Sequence, residues 1–196
     1  MTNWAYNCYA IEGPKETLER IYEAILHHPV EKDSDESWEG NILKALGIEW
    51  KRKQPDGSGL YMRGFIKETP WWQDDEHTVL RFDATEAWGA TDFNEALEAG
   101  LPDVKAYYSV EEEGEEIYAT NDKEGKYFPD RFYVDTAVNN DYDSEYFKTE
   151  DAMWQWLSKK VPELISREAV EKWNEKHEEL CDEDENFINI HKISIV

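Results

Sequence analysis

Apolar residues along the first two thirds of the chain alternate between two spacings. Trp4 to Glu12 is a dense run of aromatic and β-forming residues closed by Gly13-Pro14, which predicts a strand stopped by a turn. From Pro14 onward Leu18, Ile21, Tyr22 and Ile25 recur at i, i+3, i+4 and i+7, predicting a helix that ends near His27, His28 and Pro29. Trp38, Ile42, Leu43 and Leu46 return to helical spacing before Gly47 and predict a short inserted helix. After the turn-rich stretch Gln54 to Gly59, β-forming residues resume from Leu60 to Lys67, with Pro70 limiting that strand. Between His77 and Glu86, Leu80, Phe82 and Ala84 alternate with Val79, Arg81, Asp83 and Thr85, as in a half-buried strand, and the acidic turn Gln73 to Glu76 makes a hairpin with the preceding one. Thr91 is expected to cap a helix carrying Phe93 and Leu97 and closed by Gly100 and Pro102. Alternation returns at Val104 to Val110, and Ile117 to Thr120 is short enough to pair back on it.

Without the insertion, the first six elements read βαββαβ. This predicts an α+β fold, a ferredoxin-like sandwich in which two helices cover one face of an antiparallel sheet. Trp4 and Trp88, in or at the end of predicted strands, are expected in the core. Beyond residue 120 the pattern gives a strand at Phe132 to Val138, a polar loop at Asn139 to Ser144, and a helix capped by Thr149 with Met153, Trp156, Leu157 and Val161. A longer helix then opens at Ser166 with Val170, Trp173, His177 and Leu180, and a terminal strand covers Phe187 to Val196. No Pro-, Gly- or Ser-rich linker intervenes, so residues 1–196 read as a single domain with a core to about 120 and a β-α-α-β elaboration over 121–196.

Charge changes this picture more than any motif does. The 45 acidic residues against 21 basic ones give a net charge of −24 in 196 residues. Such a surface repels nucleic acid and anionic membrane and attracts basic proteins and cations. Disorder is the other reading of high charge, but nine Trp and eleven Tyr argue for a packed core. Two cysteines, Cys8 and Cys181, stand far apart outside any CxxC spacing, and Met1 to Gly13 lacks the basic and apolar regions of a secretory signal. No stretch is apolar enough for a membrane span. The cytoplasm is the expected location.

Two segments carry a family resemblance. Asn3-Trp4-x-x-Asn7 leads into a strand and then Gly13, while Arg81-Phe-Asp-Ala-Thr-Glu-Ala-Trp88 is followed by a helix, Leu101-Pro102 and a Tyr- and Glu-rich strand ending at Gly114. Together they resemble the YubB-like ferredoxin-like family of plasmids, phages and integrative elements, over roughly residues 1–120. Gly89-Ala90-Thr91 replaces the family's Pro-rich turn after the Trp. The resemblance implies a ferredoxin-like fold and a mobile-element origin; it supplies no reaction and no catalytic residue.

The candidate chemistry is sparse. Asp83 and Glu86, near Trp88 at a strand end, are the best carboxylate pair for general acid-base work, although so acidic a chain produces many chance pairs. His177 and Cys181 at i and i+4, beside Glu178 and Asp182, supply two ligands of the type zinc takes, but two ligands are not a site and a packed helix face is the simpler explanation. There is no GxSxG, HExxH, P-loop or dinucleotide fingerprint, and no cofactor is implied. Trp71 and Trp72, beside a turn, are as suited to a surface as to a core.

Two functions follow. The first is a non-enzymatic interaction protein that occupies a basic, nucleic-acid-binding partner, in the manner of a DNA mimic, through acidic clusters such as Glu111, Glu112, Glu113, Glu115 and Glu116. Its bland rival is charge serving solubility alone. The alternative is a carboxylate-dependent hydrolase or transferase, with or without Mg²⁺, which requires several of Asp83, Glu86, Asp92, Glu111 and Glu112 to converge in one pocket.

Overall fold

The computed structural model describes residues 3–27, 37–51, 54–66, 68–180 and 186–196. It is a mixed α and β structure whose contacts group into two compact units, Met1–Lys123 with Val196, and Glu124–Ile195.

In the first unit β1 (Trp4–Glu12) is central. It pairs antiparallel with β5 (Val79–Ala87) on one side and β6 (Lys105–Glu112) on the other. Beyond β5 lie β3 (Gly64–Ile66) and β2 (Ser37–Trp38), beyond β6 lies β7 (Ile117–Thr120), and β4 (Trp71–Trp72) also pairs with β5. The helices are α1 (Lys15–His27), α2 (Glu39–Ala45) and α3 (Phe93–Gly100). The stripe Leu18, Ile21, Ala24 and Ile25 is buried along α1, and Phe93, Ala96 and Leu97 along α3. Both stripes join one apolar cluster with Tyr9 and Ile11 of β1 and with Leu80, Phe82 and Ala84 of β5. The two helices therefore cover the same sheet face. Tyr9 stacks on Phe82 at 4.9 Å and meets Phe93 edge-on at 5.9 Å, so three rings join the central strands to α3. Asp92 occupies the position before α3 but makes no capping hydrogen bond from its side chain; the buried Thr91 hydroxyl instead accepts from the N–H of Phe93 at 3.3 Å, so Thr91 serves the helix start from one residue further out.

Trp4 and Trp88 are not core residues: they are 45% and 48% exposed. Successive strand side chains alternate between faces, so Trp4 and Tyr6 point away from the helices that bury Tyr9 and Ile11. Trp4 lies 5.8 Å from the ring of Phe65 on that second face. Trp88 occupies the left-handed turn after β5, at φ +67°.

The second unit contains β8 (Phe132–Val138), β9 (Asp141–Phe147), α4 (Glu150–Lys160), α5 (Arg167–Leu180), β10 (Phe187–Lys192) and β11 (Ser194–Ile195). The strands β10, β8 and β9 form an antiparallel sheet in that order. β9 replaces the expected polar loop. Asn139 and Asn140 both adopt positive φ, 53° and 62°, the geometry of a two-residue hairpin turn, and Val138 faces Asp141 across it. Every residue of β9 before Phe147 is exposed, which leaves no alternation for a sequence reading to find. The core of this unit gathers Val134, Met153, Leu157, Leu164, Val170 and Ile188. Asn174 of α5 brackets β10, donating to the carbonyl of Ile188 at 2.8 Å and accepting from its N–H at 3.0 Å. Thr149 caps α4 as expected, accepting from the N–H of Ala152 at 3.2 Å.

The two faces of the first sheet should respond differently to truncation. Phe82→Ala removes a fully buried ring and is expected to cost about 3–5 kcal/mol, whereas Trp4→Ala and Trp88→Ala should each cost about 1 kcal/mol or less. Urea denaturation of the three variants checks this, and a Trp4 variant as unstable as the Phe82 variant would contradict the assignment of faces.

Candidate functional site

The alternation of β5 directs Glu86 toward the helices, where it is fully buried. The first residue of α2, Glu39, is equally buried. Tyr9 donates its hydroxyl proton to Glu86 Oε1 at 2.6 Å, and the backbone N–H of Thr91 donates to Oε2 at 2.7 Å. The Thr91 hydroxyl in turn donates to Glu39 Oε2 at 3.0 Å. Gly64 on β3 makes room for this arrangement, since a Cβ there would collide with the Glu39 carboxyl. Asn7, on the same sheet face, is also fully buried, and neither its amide nitrogen nor its oxygen has a hydrogen-bond partner among the described residues.

Two carboxyls so placed cannot both ionise without an opposing cation. Burial pushes the Glu39 carboxyl well above its ordinary value, and the adjacent Glu86 pushes it further. Burial raises Glu86 as well, but hydrogen bonds from Glu39, Tyr9 and the Thr91 N–H oppose that rise. Glu39 is therefore the neutral acid and Glu86 the group better equipped to carry charge. The cluster is closed to solvent. Its chemical capacity is to hold a proton between α2, β5 and the segment entering α3.

Asp83 and Glu86 do not form the expected pair, because their odd spacing on β5 sends them to opposite faces. Asp83 instead lies across from Cys8, whose thiol is pushed up to about 12, chiefly by burial and then by the Asp83 charge. The other carboxylates of the enzymatic reading are dispersed. Asp92 accepts from the N–H of Tyr61 at 2.6 Å. Glu112, only 4% exposed, accepts from the N–H groups of Gly114 at 3.0 Å and Glu115 at 2.7 Å and so shapes the β6–β7 turn. Glu39 was hidden from sequence reasoning by its place at the end of a long acidic run. No spacing rule links it to Glu86.

Of the expected interaction residues, Glu113, Glu115 and Glu116 are exposed on the β6–β7 turn, Glu111 is half-buried, and Glu112 turns inward. Trp71 is 44% exposed. Trp72 is half-buried, stacked on Tyr22 at 5.4 Å and on His77 at 4.3 Å. His77 adopts the left-handed φ of +58°, and its Nδ1 lies 3.7 Å from Glu19 Oε1. These rings form one side of an open groove of about 660 Å³, whose α1 side carries the exposed carboxylates of Glu16, Glu19 and Glu23. The spacing i, i+3, i+7 places the three in one row along the helix. Glu19 lies 3.8 Å from Lys15, and Glu23 lies 2.9 Å from His27.

His177 donates its Nδ1–H within its own helix to the carbonyl of Trp173 at 2.7 Å, and the two rings lie 3.9 Å apart. Cys181 and the acidic runs at 31–36 and 181–185 lie outside the described residues. Among the described residues no group of three His, Cys, Asp or Glu side chains is placed to hold a metal, and no helix is long and apolar enough to cross a membrane. No family profile, curated protein or solved structure matches this chain.

The carboxyl pair predicts a pH dependence. Glu39 binds its proton more tightly in the folded chain than in the unfolded one, so stability falls as pH rises above its ordinary value of 4.5 toward its raised folded value. The limiting slope for one group is about 1.4 kcal/mol per pH unit. Glu39→Gln keeps the shape and loses the ionisation. Its melting temperature should match or trail the parent's near pH 5 and overtake it by pH 8.5; parallel melting curves across that range would exclude a structural proton on Glu39.

Proposed function

We propose that this chain is a non-enzymatic, acidic interaction protein that docks a basic protein partner along the α1 groove, the partner's cationic surface being one that also serves nucleic acid. The observation that carries the reading is the row Glu16, Glu19 and Glu23, which faces outward beside stacked aromatic rings on an open concavity. Lys and Arg side chains suit such a place, because their stems cover apolar ring surface while their charged ends meet carboxylates. The excess of 24 negative charges adds long-range attraction to the same kind of surface. The first unit is read as a ferredoxin-like sandwich on the strength of its strand order β6-β1-β5-β3 and of α1 and α3 sharing one face. The resemblance of residues 1–120 to the YubB-like family supports a mobile-element origin. The hydrolase or transferase alternative draws no support from Asp83 and Glu86, which face opposite ways.

The test begins with a partner recovered from the native host and identified. Its association rate with the parent protein should fall steeply between about 10 mM and 150 mM salt, as the Debye length shrinks from ~30 Å to ~8 Å. The triple reversal E16K/E19K/E23K, on an exposed helix flank that tolerates Lys, should slow association about tenfold or more at low salt with circular dichroism unchanged. A rate indifferent to both salt and reversal would leave the charge as a solubility device and remove this function.

A further inference from the structure

Among the described residues several lysines stand apart from the many carboxylates of this chain, and Lys44 and Lys51 are two of them. Neither ammonium has an ion-pair or hydrogen-bond partner among the described residues. Both instead lie on one cavity of about 780 Å³, which is also lined by Ile48, Glu49, Trp50 and Leu60. The apolar members are half-buried and pack against the main core from its edge, so each still has surface to cover.

The walls are fixed by the fold. Gly47, at φ +77°, terminates the turn after α2, and the N–H of Ile48 returns to the carbonyl of Leu43 at 2.9 Å. Ile48 presses so closely on Gly100 that a Cβ there would strike it at 2.5 Å. Trp50 is held by its indole N–H to the carbonyl of Gly40 at 3.2 Å and by an edge-on contact with Trp38 at 5.5 Å. Leu60 is tied to the carbonyl of Lys51 through its N–H at 2.7 Å. The concavity is thus preformed, of ligand size, apolar within, and edged by two cations against one carboxylate. An indole in such a place offers a flat surface to an apolar body.

We infer that this cavity binds a small amphipathic anion, with an apolar body against Ile48, Trp50 and Leu60 and a carboxylate or phosphate head between Lys44 and Lys51. The inference is independent of the α1 groove and goes beyond docking a basic partner, since the ligand has the opposite charge. It is notable electrostatically because the molecule as a whole repels anions. Capture of one therefore depends on local pairing of the head with ammonium groups, in addition to burial of the body.

Isothermal titration of the full chain with decanoate, decyl phosphate, decanol and inorganic phosphate tests this. Saturable one-to-one binding of decanoate or decyl phosphate is expected, at least about tenfold tighter than decanol, with inorganic phosphate not binding measurably. The tighter of the two anions identifies the preferred head. The double variant K44A/K51A, altered only at exposed positions, should lose about tenfold or more in affinity for the anions while its weak affinity for decanol stays unchanged. Leu60→Trp, which fills the cavity, should weaken all of them without disturbing either lysine. Absence of saturable binding by both anions, decanol binding as tightly as they do, or K44A/K51A binding like the parent would each overturn the inference.

Discussion

A carboxyl group without water must keep its proton or meet a cation, and the first unit is organised around that constraint. Glu86 stands on the central sheet and Glu39 opens the inserted helix, so the two acids tie these segments together in the interior. Tyr9 and Thr91 bring in β1 and the approach to α3. Four elements thereby share one hydrogen-bonded centre. Around it the apolar stripes of α1 and α3 contribute favourable free energy through buried area, while the polar centre ties the insertion to the sheet. Gly64 is the small residue this arrangement requires, because any side chain there would displace the Glu39 carboxyl.

Outside this centre carboxylates serve several ends. Some are used by the backbone: Glu112 shapes its turn, and Asp74 accepts from both the N–H and the hydroxyl of Thr78 at 3.0 Å. Others remain at the surface, as in the row on α1 and at Glu113, Glu115 and Glu116. Net charge alone does not distinguish these roles. An acidic count overstates the surface available to a partner, because members of the same run turn inward.

The legible parts of the sequence were those where burial is one-sided. The stripe of α1 and the alternation of β5 each record one wet face and one dry face. β9 has no dry face before Phe147 and was therefore invisible as a strand, although Asn139-Asn140 carried the turn that makes it. For Trp4 and Trp88 position decides over size: Trp4 and Tyr9 differ in parity along one strand, Tyr9 is the one beneath the helices, and Trp88 sits in the turn that follows β5. Glu86 was legible as a residue at a strand end, but its partner Glu39 was not, since proximity across a fold leaves no mark in spacing. The cavity between Lys44 and Lys51 was equally hidden, since it exists only once Leu60 folds back beside them.

The exposed strand β9 has a consequence for how copies of this molecule meet. Its outer edge has no strand partner among the described residues, and an open edge invites polymerisation. Asp141 and Glu145 line one side of that strand together with Asp143, which is paired with Lys160 at 2.6 Å, and Glu145 Oε1 accepts from the N–H of Tyr146 at 3.0 Å. Two such edges approaching one another bring like charges face to face along several ångströms, so the strand is open in geometry but closed electrostatically. That closure lasts only while the carboxylates are ionised. Acid strong enough to protonate them weakens the guard on this edge.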